Sequence, residues 1–342
     1  MQSNLTATST RRRLLGVAAG ATGVALATTV LHPAQAAAAM PGAGPSTRSA
    51  GTVRGATAGP FALELGTVQQ GILGSADGGD TFAEVIPPPY PGGLKQIGPV
   101  RYDDFSINFG FGMGPEFERW VVDSIAMRGS LNASPRDGAL LATDFNRTVK
   151  SARAFHNALI TELRIPACDA NSRDSGSLGL SFAAETASDA VRTGTVTAPS
   201  LSLQKAWLTS NFRLEIDKLD CTKVSKIEAI TITRGASNSD SQPTFEFPNL
   251  AITFAAASLS SWKTWFDAFI TSGTGEKFGS LTLLANDGTE LAVLRFNNVG
   301  IFRLDPEPET ASQDAVVKAR AELYVSRMRF TKLGSYSPPP AP

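Results

Sequence analysis

Histidine is nearly missing: the 342-residue chain holds two, His32 and His156. Cysteine is as scarce, with Cys168 and Cys221 alone, so no histidine pair or cysteine–histidine cluster is available for a tetrahedral zinc site. No G-x-S-x-G elbow occurs, which removes the local signature of a hydrolase serine. Positive charge is not in excess: 31 lysines and arginines balance 31 acids. The basic footprint of a nucleic-acid binder is therefore absent. Beyond the first 36 residues no stretch approaches the roughly 20 apolar residues of a membrane span, so no stable transmembrane segment is expected.

The opening of the chain reads as an address. Arg11, Arg12 and Arg13 precede a weakly apolar run at 16–31, rich in Ala, Gly and Thr, and Ala34-Gln35-Ala36 offers an A-x-A cleavage site. Paired arginines, a dilute apolar run and no acid are the pattern of a twin-arginine signal over residues 1–36. A general secretory signal or an anchor is the competing reading, and the short Ala/Gly/Thr-rich run suits a stable span poorly. The expected partner is the twin-arginine translocase, and the expected destination is the extracellular side or envelope of a bacterium. Without these residues 28 basic residues face 31 acids, a net charge of −3. Cys168 and Cys221 could pair after export. Folding in a reducing cytoplasm beforehand favours two buried free thiols.

Composition divides the rest. Residues 37–58 contain almost no large apolar side chain and read as a flexible tether. Two domains of ordinary size are expected at 59–184 and 205–332, joined by a Thr/Ala/Ser-rich linker at 185–204. A proline-rich tail, 333–342, reads as extended and disordered.

The two domains repeat each other. Phe105, Ile107 and Phe109 lead to Trp120 and Ile125; Leu250, Ile252 and Phe254 lead to Trp265 and Ile270, at a constant offset of 145. Phe61, Leu63 and Glu64 match Phe212, Leu214 and Glu215. Leu140–Ala142 matches Leu283–Ala285, and Phe155 and Asn157 match Phe296 and Asn298. A duplicated unit that cannot cover its own surface does so against other copies.

In the second copy, alternation predicts strands over 212–217, in the apolar run 224–232 and over 245–254. The period then changes: Trp262, Trp265, Phe266, Phe269 and Ile270 fall at helical spacing, with Ser258 or Ser260 as N-cap and Gly273 beyond the end. The first copy repeats this helix with Pro115 near its start, Phe117, Trp120, Val121 and Ile125 on its apolar face, and Gly129 as terminator. Strands follow at 280–284, 291–296, 301–304 and 316–330, the first two joined by a turn at Asn286-Asp287-Gly288-Thr289. The fold class is mainly β (α+β): two tandem β-barrel or sandwich units, each with one amphipathic helix.

No constellation of catalytic, cofactor-binding or metal-ligating residues stands out. His156 precedes an apolar strand, where the other copy has Asn297, and reads as a polar strand-end residue. Gly273, Gly275 and Lys277 fail the phosphate-loop spacing and follow a helix rather than precede one. Asp103, Asp104, Asp137, Asp144 and Asp287 fall in turns, where Asp bonds its own backbone. Asp305, Glu307 and Glu309 alternate with prolines as a solvated loop. Trp120, Trp262 and Trp265 lie on apolar helix faces and read as core.

The order of these motifs carries a family likeness. An F-x-L-E strand opens each copy, and Lys226, Ile227 and Glu228 follow in the second. Past the tryptophan helix come Phe296, Asn298, Gly300, Phe302 and Leu304, then a long last strand through Lys318, Glu322 and Tyr324. The chain thereby resembles, as two tandem copies, the tail tube proteins of contractile-tailed phages and related injection machines. The likeness is clearest over 212–330 and weaker over 61–182, where residues 74–93 depart from it. It implies a β-barrel subunit with a flanking helix, self-association into six-fold rings that stack, and sheath- or baseplate-like partners. Two units per chain then imply a trimeric, pseudo-hexameric ring with no enzymatic activity and no cofactor. The competing readings are an exported monomer that binds a ligand or cell-wall polymer, and a secreted hydrolase with a carboxylate pair assembled in space.

Overall fold

The computed structural model describes residues 58–126, 135–197, 207–235, 244–306 and 317–339, within a compact unit spanning Gly55–Pro342. The expected signal at 1–36, nearly all of the expected tether, Gly129 and the end of the 185–204 segment lie outside the described residues. The described residues are mainly β, with a curled half-barrel sheet and two α-helices.

Six strands precede the first helix: β1 (Ala58–Leu65), β2 (Val68–Leu73), β3 (Ser75–Asp77), β4 (Thr81–Ile86), β5 (Gln96–Tyr102) and β6 (Phe105–Phe109). Helix α1 (Pro115–Ala126) leads to β7 (Arg136–Asp144), β8 (Val149–Ile165), β9 (Cys168–Asp169), β10 (Leu178–Ala183) and β11 (Thr186–Ala190). The second half holds β12 (Phe212–Ile216), β13 (Val224–Ile227), β14 (Ile230–Arg234), β15 (Phe245–Glu246) and β16 (Leu250–Ala255). Then come α2 (Leu259–Ser272), β17 (Lys277–Leu284), β18 (Glu290–Pro306) and β19 (Lys318–Leu333). One sheet runs β2-β1-β7-β8-β10-β6-β3, with β11 and β14 also on β8 and β15 on β14. The other runs β12-β17-β18-β19-β16-β13-β9, and β4 and β5 form a hairpin apart from both.

Six strands of each large sheet follow one order and register, β1-β7-β8-β10-β6-β3 in the first and β12-β17-β18-β19-β16-β13 in the second. Gly138 faces Phe155 across β7–β8 as Gly279 faces Phe296 across β17–β18. Phe182 faces Ile160 and Phe105 as Leu323 faces Ile301 and Leu250. Ser75 faces Asn108 as Lys226 faces Thr253. Between halves the offset is 151 for the opening strands, 145 through β6 and α1, and 141 from β7 onward, so the halves differ by loop length alone at these points. One match from the sequence is corrected: register makes Leu140 the counterpart of Leu281, not Leu283. The slip is two residues, which leaves every side chain on its original face and so goes unseen in the hydrophobic pattern.

Both halves also carry the same bulge. Asn157 (φ 50°) and Asn298 (φ 53°) occupy the left-handed region that Asn tolerates better than bulkier residues. This lets β18 run through as one 17-residue strand where the sequence suggested two. The expected third strand over 245–254 divides instead: Pro248 cannot donate to a ladder, and β15 and β16 join different sheets. The 224–232 run divides likewise, β13 remaining in the second sheet and β14 crossing to pair with β8.

The helices sit where periodicity placed them. Pro115 opens α1, its missing N–H being one the first turn leaves unbonded anyway. Gly273 closes α2 at φ 65° and donates its N–H to Phe269 O. Ser258 occupies the N-cap position of α2, but its hydroxyl donates to Asp220 instead of capping. Inside, Phe109 meets Phe117 edge-on at 4.9 Å, and the counterpart pair Phe254 and Trp262 stacks at 4.6 Å. One contiguous core joins both halves.

Two segments are more ordered than composition suggested. Within the expected linker, β11 pairs with the first half of β8, its Ala187 buried opposite Phe155. In the expected tail, Ser335 and Tyr336 bond to Glu118 of α1.

Candidate assembly surface

The β4–β5 hairpin is the most apolar exposed feature of the described residues. Phe82, Val85, Ile86, Ile97 and Val100 on its strands and Tyr90 and Leu94 at its tip are all exposed, Ile97 at 78% and Leu94 at 88%. Pro87, Pro88, Pro89 and Pro91 stiffen that tip by fixing φ. A lone two-stranded hairpin is marginal in water, and this one exposes apolar side chains on both faces, Phe82 and Ile86 on one and Val85 on the other, which marks it as a candidate interaction site. Polar contacts tie its base to the body: Arg153 Nη1 donates to Gly79 O at 2.7 Å and pairs with Asp80 at 3.2 Å.

By register the hairpin is the counterpart of β14–β15. Phe82 faces Arg101 and Ala83 faces Val100, as Thr233 faces Glu246 and Arg234 faces Phe245. Their surroundings differ. β14 also lies against the far half of β8, Ile230 opposite Ile165 and Ile232 opposite Leu163, all four buried. Arg234 secures that junction: its Nε donates to Ile160 O at 2.8 Å and its guanidinium lies 4.8 Å from the Phe245 ring centre. Burial holds its pKa below the ordinary arginine value.

The counterpart of the far half of β8 is the far half of β18. Residues 301–306 pair with β19 on one side, while β17 reaches only to Val299 on the other. Among the described residues nothing pairs with that second edge, and Phe302 and Arg303 are exposed there. Arg303 is ion-paired to Asp305 at 2.5 Å.

A second seam joins α1 to the end of the chain. Glu118 is 2% exposed and accepts bonds from Ser335 N (2.9 Å), Ser335 Oγ (2.6 Å) and Tyr336 N (3.1 Å). Burial raises its pKa, and the bonds from Ser335 and Tyr336 pull it back in part. A cavity of about 410 Å³ opens beside it, lined by Phe111, Met113 and Leu291 among others.

The residues weighed as chemistry lie apart. His156 is exposed in mid-strand on β8 rather than at a strand end, its Nδ1 3.8 Å from Asp137. Asp137 in turn accepts from the Asn157 N–H. Asp144 accepts from the Asn146 and Thr148 N–H groups in a turn, which, with Lys150, holds its pKa down. Asp104 accepts from Thr161, and Asp287 accepts from the Thr289 N–H in its hairpin turn. Among the described residues no group of three His, Cys, Asp or Glu is placed to hold a metal ion, and no helix is long and apolar enough to cross a membrane. Trp120, Trp262 and Trp265 are core residues. Cys168 and Cys221 are free, burial pushing their thiols up to about 12 and about 11. The vacant β18 edge gave no sequence signal, because a free edge has no composition of its own.

No protein-family model matches the chain, and no curated protein does. Among solved structures, a chain of the anti-feeding prophage baseplate, determined by cryo-electron microscopy with six-fold symmetry, is 12% identical. The match covers 51% of this chain and 93% of that one, at a TM-score of 0.25. Superposition of that quality carries no argument about function.

Proposed function

We propose that the protein is a non-enzymatic structural subunit, two tandem copies of one tail-tube-like unit, that assembles with itself into rings capable of stacking. The observation that carries this reading is the β4–β5 hairpin, whose apolar side chains stand in solvent on a two-stranded sheet of their own. Self-association removes that surface from water, and open sheet borders are removed when copies join edge to edge around a closed ring. With two equivalent units per chain, three chains make a pseudo-hexamer. Twin-arginine export places the ring outside the cytoplasm, with sheath- or baseplate-like proteins as candidate neighbours.

Light scattering on the purified full chain tests the reading. The mass of three chains, or of stacked multiples of three, supports it. A monomer at high protein concentration overturns it and favours an independent exported binding module.

A further inference from the structure

The junction between the two halves shows how one unit meets the next. There β14 of the second half lies on the far half of β8 in the first, with Thr231 opposite Arg164, Ile232 opposite Leu163 and Thr233 opposite Glu162. Each partner has a counterpart elsewhere in the chain. At an offset of 151, β14 corresponds to the start of β4; at 141, residues 162–165 of β8 correspond to residues 303–306 of β18. Among the described residues the chain therefore uses one copy of this contact internally and leaves both halves of a second copy without a partner.

We infer that β4 of one chain adds to the open edge of β18 in a neighbouring copy, antiparallel, with Thr81 opposite Leu304 and Phe82 opposite Arg303. The inference rests on the self-assembly reading and specifies its interface. Main-chain hydrogen bonds of an added strand supply attraction, and side chains set the register. The contact is head-to-tail, because each chain has one donor strand and one acceptor edge, and such contacts form a ring when the rotation closes.

The second half lacks cover where the first half has it. Leu163 is buried, whereas its counterpart Leu304 is only half-buried. Phe82 would lie across from the Arg303 guanidinium, a pairing of the kind Arg234 and Phe245 already make. The register also sets Asp80 opposite Asp305, a like-charge pair. Each already has an arginine partner, Arg153 and Arg303 respectively.

Cysteine cross-linking in the full chain reads the register. Directly opposed strand residues bring Cα atoms to about 4.5–5.5 Å, within disulfide range. The Phe82→Cys/Arg303→Cys variant is oxidised with diamide and run on a non-reducing gel, with Phe82→Cys/Asp305→Cys as the off-register control. Native Cys168 is buried and Cys221 half-buried, and the off-register variant carries both, so any cross-link through them would appear with both variants. Covalent multimers from the first variant and none from the second are expected; mixing the two single variants should give dimers only. Oligomers of full size by light scattering without cross-links overturn this interface while leaving self-assembly standing. A cross-link confined to monomers also overturns it. Monomers by light scattering with no cross-link overturn both.

Discussion

Removing the Glu118 carboxylate should loosen the seam between α1 and the end of the chain. In Glu118→Ala, the Ser335 and Tyr336 N–H groups lose their acceptor, as does the Ser335 hydroxyl. An unsatisfied buried donor costs about 1–3 kcal/mol. The adjoining cavity admits water, and deleting a buried carboxylate recovers part of its desolvation, so the low end applies to both N–H groups. The expected loss is about 2–3 kcal/mol, which for a protein of this size lowers Tm by about 3–5 °C. Glu118→Gln separates charge from geometry, because its carbonyl oxygen can accept the same bonds. Burial raises the folded-state pKa of Glu118 above its unfolded value. Its favourable contribution is therefore complete below the unfolded pKa, near the ordinary glutamate value, and is lost as pH rises through the folded value. Gln is neutral throughout, so the variant should match or exceed the parent at pH 7 and show a flatter stability profile above pH 4. Urea melts at several pH values are the assay. An unchanged midpoint for the alanine variant, or a glutamine variant as weak as alanine, would mean that the Glu118 carboxyl does not hold this seam.

Three further outcomes follow from the same geometry. A Cβ at Gly138 would meet the Glu64 carbonyl and lie 2.6 Å from the Phe155 ring, whereas at Gly279 the nearest atom is the Glu215 carbonyl at 2.7 Å. Gly138→Ala should therefore cost about 3 kcal/mol and Gly279→Ala about 1 kcal/mol, measured by chemical denaturation. Thiol reagents at pH 7 should leave Cys168 and Cys221 largely unmodified in the native protein and modify both in denaturant; rapid native labelling would contradict their raised pKa values. Val85→Lys with Ile97→Lys charges two exposed, directly opposed hairpin positions. The unfolding free energy of the monomer, from urea melts at low protein concentration, should change by no more than about 0.5 kcal/mol, while the oligomer dissociates.

Much of the fold was legible because it is written in local periodicity. Trp262, Trp265 and Phe269 define α2 without any tertiary knowledge, and Gly273 marks its end. The constant spacing from Phe105 to Leu250 tied the halves together. What escaped depends on partners distant in sequence. Nothing local to Ile230 and Ile232 says that they face Leu163 and Ile165 rather than their neighbours in β13. The Thr/Ala-rich β11 reads as a linker because its stability comes from the β8 ladder, not from its own side chains. Ser335 reads as tail because its partner, Glu118, lies 217 residues away. The exposed β4–β5 hairpin and the open edge of β18 were legible only as a duplicated unit's need for cover. Register shows that each has a counterpart paired inside the chain.

Electron microscopy of the purified protein shows whether this chain closes on copies of itself. Class averages should show rings with six similar lobes built from three chains, alone or stacked. Fields of single two-lobed particles at every concentration would contradict it.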